Sequence, residues 1–98
     1  MDYSVEWEEA IRTLVNDQDE WVKDLKDTYA SSIDRQKMYQ GFYKRKYMGI
    51  LKMRMKEEIR FMLSKRLNLN IDKTMELVCQ PGVSDLIEDI IERSMYDV

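Results

Sequence analysis

Apolar side chains recur along most of the chain at steps of three and four, the spacing of one helix face. In residues 1–34 the series Trp7, Ile11, Leu14, Trp21 and Leu25 follows that step if Gln18 fills its gap, with Ala10, Val15, Val22 and Tyr29 beside it. This predicts an amphipathic helix with a heptad-like seam, opened by Ser4 as N-cap and by Glu6, Glu8 and Glu9 in its first turns. The polar run 16–20 is either a break, with Asp17 or Asp19 capping a second helix, or one solvated turn of a continuous helix. A second break is expected near Ser31, where Ser31 and Asp34 resemble a capping box with a shorter acid.

From residue 35 the helical pattern continues without proline to about residue 67. At 100° per residue, Tyr47, Met48, Leu51, Met55, Ile59, Met62 and Leu63 gather on one arc. Arg45, Lys46, Lys52, Lys56 and Arg60 gather on another, with Phe42 and Met53 beside them. Gly41 and Gly49 weaken this helix by roughly 1 kcal/mol each relative to alanine, and they leave room for another helix backbone to come close. A helix over 35–67 is about 50 Å long, whereas a compact chain of this size has a radius of gyration near 13 Å. Either the helix breaks at Gly41 or Gly49, or it protrudes and pairs with a second copy, so a homo-oligomer is expected.

The pattern lapses over 67–72, where Asn70 or Asp72 is placed to cap a short helix reaching Cys79. Gln80-Pro81-Gly82 is the strongest turn signal, and Ser84 with Asp85 is read as the start of a last helix whose apolar face is Leu86, Ile87, Ile90, Ile91 and Met95. The C-terminal 96–98 is expected to fray. The fold expected is a single all-α domain over 1–98: a small helical bundle built on a long central helix, with a short C-terminal helical hairpin. Three glycines and one proline in 98 residues are too few for an all-β fold.

Charge sharpens this picture. Residues 1–34 hold three basic and ten acidic residues, net −7; residues 35–66 hold eleven basic and two acidic, net +9; residues 67–98 hold two basic and seven acidic, net −5. The overall charge of −3 therefore hides a strong segregation. In one reading the basic arc of the central segment is solvated or paired with the acidic flanks, and the Met-rich arc is simply core. In another, the aligned cations follow a phosphate backbone while Tyr39, Phe42 and Tyr43 stack on unpaired bases. A membrane-surface helix is a third, disfavoured by the acidic flanks. The acidic first block also suits a mimic of phosphate charge seated in a partner's basic groove.

Candidate chemistry is sparse. The chain has no histidine and a single cysteine, which excludes zinc sites built from those ligands and removes the commonest general base. Asp17, Asp19 and Glu20 lack the glycine and the distal glutamate of a calcium loop. Cys79 precedes a helix end, where a thiolate is not favoured. Glu88 and Glu92 share a face without a companion motif, and no glycine-rich phosphate loop is present. No apolar run is long enough to span a membrane, and the acidic start lacks an apolar leader, so a cytoplasmic protein is expected, of a cell or of an infected host cell. These readings point to a non-enzymatic protein without cofactor or metal that presents a helix face to a macromolecular partner, as an adaptor, inhibitor or assembly factor, a phage or virus being one conceivable source. The alternative is an accessory protein for single-stranded nucleic acid. Candidate contacts are Phe42, Arg45, Lys46, Lys52, Lys56 and Arg60. Candidate core or oligomer residues are Trp7, Ile11, Leu14, Trp21, Leu25, Met48, Leu51, Met55, Ile59 and Met62.

Overall fold

The computed structural model describes residues 4–96 and is all-α. Its elements are α1 (Ser4–Asn16), α2 (Gln18–Thr28), α3 (Ala30–Gln36), α4 (Gly41–Leu67), α5 (Ile71–Val78) and α6 (Pro81–Met95). The helical hairpin expected at the C-terminal end is α5 and α6. The molecule measures 45 × 23 × 19 Å. The 27 residues of α4, about 40 Å at 1.5 Å per residue, run along its length. Among the described residues, no helix is long and apolar enough to cross a membrane. The expected fraying of Asp97 and Val98 lies outside the described residues, as does any capping by the Ser4 side chain.

Helices α1, α2 and α3 form one bent run. Backbone hydrogen bonding continues across both joints, from Trp21 N–H to Asp17 O (3.0 Å) and from Ile33 N–H to Tyr29 O (2.8 Å). The bends come from Asp17 (φ −107°, ψ 24°) and Tyr29 (φ −110°, ψ 21°), which leave helical geometry without a side-chain cap. The Trp21 indole N–H donates to Thr13 O across the first bend at 3.4 Å. Ser31 does not cap α3, because the helix has already begun at Ala30.

The central helix starts at Gly41 rather than at residue 35. The α3 turn closes on itself, with Lys37, Met38 and Tyr39 N–H bonding to Asp34, Arg35 and Gln36 carbonyls at 3.2, 3.0 and 3.4 Å. The chain then turns through Gly41 at φ +59°, a conformation that favours glycine. Among the described residues of the chain no neighbouring helix comes close at Gly41 or Gly49, where an added methyl group would meet nothing within 4 Å. The close approach is at Gly82 instead, where an added Cβ would lie 3.3 Å from Ile11 Cδ1 and 3.4 Å from Trp7 Cζ2.

The α4–α5 corner is closed by its own polar groups. Asn68 takes the left-handed conformation that ends α4, Leu69 N–H donates to Ser64 O at 3.0 Å, and Ser64 Oγ donates to Leu69 O at 2.7 Å. Asn70 caps α5, its Oδ1 accepting from Lys73 N–H at 2.8 Å. Helix α6 starts at Pro81 rather than at Ser84. Proline at the first helical position has its φ already set and no N–H to leave unpaired, and Ser84 N–H bonds back to Gln80 O at 2.9 Å.

Helix α6 is the hub, packing on α1, α2, α4 and α5. Val83, Ile87, Ile90, Ile91 and Met95 are buried along it. They meet Ala10, Leu14, Trp21, Val22 and Leu25 from the bent run and Leu51, Met55, Ile59 and Leu63 from α4 in one hydrophobic cluster. The four buried α4 residues recur every fourth position, so they form a narrow stripe. Burying each such side chain contributes roughly 1.5–3 kcal/mol.

Candidate functional site

The sequence-derived core residues divide by depth. Leu14, Trp21, Leu25, Leu51, Met55 and Ile59 are buried, and Ile11, Met48 and Met62 pack against them half-buried. Trp7 is exposed at 38%, although its indole edge lies close to Gly82 of α6.

The basic positions of α4 fall into two halves of different character. In the C-terminal half the cations meet carboxylates. Lys52 Nζ is 3.9 Å from Glu92 Oε1, Lys56 pairs with Glu88, and Arg60 lies 4.0 Å from Glu57 within α4. Glu88 and Glu92, one turn apart on α6, thus face Lys56 and Lys52, one turn apart on α4. At the far end Arg66 reaches Asp17 (2.9 Å) and Glu20 (3.9 Å), and its guanidinium lies 5.4 Å from the centre of the Trp21 ring. Arg93 holds Asp19 at 2.9 Å. The acidic triplet of the 16–20 segment therefore meets arginines from α4 and α6.

The N-terminal half of α4 and the segment before it carry cations with no acid among them. Residues 35–50 carry Arg35, Lys37, Lys44, Arg45 and Lys46 and no acidic residue. Lys37 lies 3.8 Å from Asp34, and no ion pair involves Lys44, Arg45 or Lys46 among the described residues. Helix α3 packs against α4. It is anchored through Tyr29, whose hydroxyl donates to Arg54 O at 3.2 Å, through partly buried Ile33, and through buried Gln36. Burial, and then the Glu58 carboxylate, raises the Tyr29 phenol pKa above its ordinary value.

Large apolar side chains stand out in the same place. Met38 is 82% exposed, Tyr43 70% and Phe42 64%, with Met53 and Ile50 also exposed. Phe42 and Tyr43 rings meet edge to face at 5.8 Å, and Tyr39 and Tyr47 rings lie 5.1 Å apart. Tyr39, Tyr43, Lys46, Tyr47 and Ile50 line an open cleft of about 170 Å³. The predicted contacts are thus brought together only in part: Phe42, Arg45 and Lys46 lie at this tip, while Lys52, Lys56 and Arg60 belong to the paired half. Sequence reasoning centred the contact on the longest line of cations. The signal for the tip was the complete lack of acids over 35–50.

A second apolar surface has no counterpart in the sequence reading. Phe61, Ile71 and Met75, all exposed, line a depression of about 250 Å³ between α4 and α5 with Glu57, Arg60 and Thr74. Lys65 Nζ covers one face of Phe61 at 4.3 Å. Exposed Cys79 sits in a groove with Lys56, Arg60 and Ser84.

No protein-family model, no curated protein and no solved structure matches this chain.

Proposed function

We propose that this is a non-enzymatic helical protein, working in the cytoplasm of a cell or of an infected host cell, that engages a macromolecular partner through the N-terminal half of α4 and the adjoining end of α3. The observation that carries this reading is the coincidence, over residues 35–50, of five cations, no acid and the most exposed large apolar side chains of the described chain. Farther along α4, Lys52, Lys56, Arg60 and Arg66 have carboxylate partners within the fold, and Leu51, Met55, Ile59 and Leu63 form the core. At this end Lys44, Arg45 and Lys46 have no ion pair among the described residues and Phe42 and Tyr43 stand exposed, and exposed aromatic surface beside cations is a feature of recognition surfaces. A second copy of the chain is among the partners this reading accommodates.

The test is a photo-crosslinking amino acid in place of Tyr43, compared with the same group in place of Asp24 on α2, in the native host. Discrete adducts at position 43 and not at 24 support the reading. No adduct at 43, or equal adducts at both positions, removes it.

A further inference from the structure

We infer that the partner of the α3–α4 tip is single-stranded nucleic acid, an inference that rests on the proposed function above and names the chemistry of what is bound. Three observations lead there. First, Lys44, Arg45 and Lys46 are consecutive, so at 100° per residue they sweep about 200° around α4. They form a partial collar rather than a line. A collar suits a flexible polyanion that can wrap it; a rigid duplex meets one side only.

Second, the flat rings are at the same level as the cations. Phe42 and Tyr43 directly precede the collar, and Tyr39, Tyr43 and Tyr47 wall the cleft that Lys46 also lines. The adjacent Phe42 and Tyr43 rings meet edge to face, so their planes stand at 73° to each other and present two ring faces in different directions. They are placed to stack on successive unpaired bases, each of which offers a ring face whatever its identity.

Third, the rest of the chain carries a net charge of −8, which follows from the overall −3 and the +5 of residues 35–50. The acidic share of it, −12, lies in residues 1–34 and 67–98, and repels a polyanion from those segments. It limits the footprint to a short stretch of strand and opposes a long duplex or an anionic membrane, either of which would bring many further phosphates against the acidic body.

The test is fluorescence anisotropy of a labelled oligothymidylate of about 15 nucleotides, within the usual footprint of single-strand binders. With up to five cations engaged, the logarithmic salt slope is expected to approach about −3.5, which is a loss of affinity of about a hundredfold between 50 and 200 mM salt. Replacing Lys44, Arg45 and Lys46 by glutamine flattens the slope by about 0.7 per cation. Phe42→Ala and Tyr43→Ala each weaken binding by about tenfold, whereas Tyr43→Phe retains it because stacking needs the ring and not the hydroxyl. Lys52→Gln with Lys56→Gln leaves affinity nearly unchanged, since those side chains pair with α6. Circular dichroism verifies that each variant keeps its helices.

No binding at 20 mM salt overturns the inference. So does equal affinity for polyglutamate, for phosphatidylserine vesicles or for a duplex of the same length. So does a loss at Lys52 and Lys56 equal to that at 44–46. If position 43 crosslinks to protein while the oligonucleotide does not bind, the functional reading stands and this inference falls. If position 43 gives no adduct at all, both fall.

Discussion

Replacing Gly49 with alanine tests directly whether anything closes on the exposed half of α4. Gly49 lies inside a 27-residue helix, and an added Cβ would meet nothing within 4 Å. The substitution therefore carries no steric penalty in the isolated chain. Its effect reduces to helix propensity, a gain of up to about 1 kcal/mol from lowered unfolded-state freedom and better backbone shielding. For a domain of this size that corresponds to a rise in melting temperature of about 4 °C or more. Gly41→Ala is the matched control. Its φ of +59° imposes a cost of roughly 1–2 kcal/mol on a residue with a Cβ, so the same chemical change eight positions away is expected to destabilise. Both are read by thermal unfolding followed at 222 nm at several protein concentrations. A Gly49→Ala variant that melts lower than the parent, or only at high concentration, would refute the reasoning. It would mean that a second copy packs against this face and that the glycine serves the close approach inferred from the sequence.

Other expected outcomes concern the body of the fold. Ile59 is fully buried in the α4 stripe, so Ile59→Ala costs about 2–5 kcal/mol in urea unfolding, from lost transfer energy and the cavity left behind. Asn70→Ala removes the acceptor of Lys73 N–H and lowers stability by about 1 kcal/mol, while Asn70→Asp retains it. Tyr29 has a folded pKa above its unfolded value, so its neutral form favours the folded state. That contribution is present below pH 10 and is lost as pH rises through the raised folded pKa, so Tyr29→Phe flattens the alkaline fall of the melting temperature.

Much of the helical layout was legible because it depends on local spacing. Leu51, Met55 and Ile59 reveal themselves by their four-residue step, and Asn70 by standing just before a short apolar period. The helix boundaries were less legible where two local rules compete. Ser84 is a good cap, but Pro81 three residues earlier is a better helix start. At Asp17 and Tyr29 the hydrogen bonding runs through, so the chain bends without the polar punctuation that normally marks an end. Gly41 gave only half its message: a glycine in a helical pattern signals weakness, whereas its positive φ is set by how α3 closes. Pairings across the fold were not legible. Nothing in the spacing of Lys52 and Lys56 says that Glu92 and Glu88 will face them, because that depends on how α4 crosses α6. For the same reason the basic arc read as one continuous line, although the fold answers one end and leaves the other bare.

That division of α4 is open to a direct measurement: thermal stability at low salt of two charge-reversal variants, one with Lys44, Arg45 and Lys46 changed to glutamate and one with Lys52 and Lys56 changed to glutamate. Each exposed ion pair contributes up to about 1 kcal/mol, and reversing Lys52 and Lys56 sets like charges against Glu92 and Glu88. The expected result is a lowered melting temperature for the second variant, recovering with added salt, and an unchanged or raised one for the first, where crowded cations are relieved. Equal destabilisation of both, or collapse of the first alone, would mean that the tip's charges are held by the fold and are not free to meet a partner.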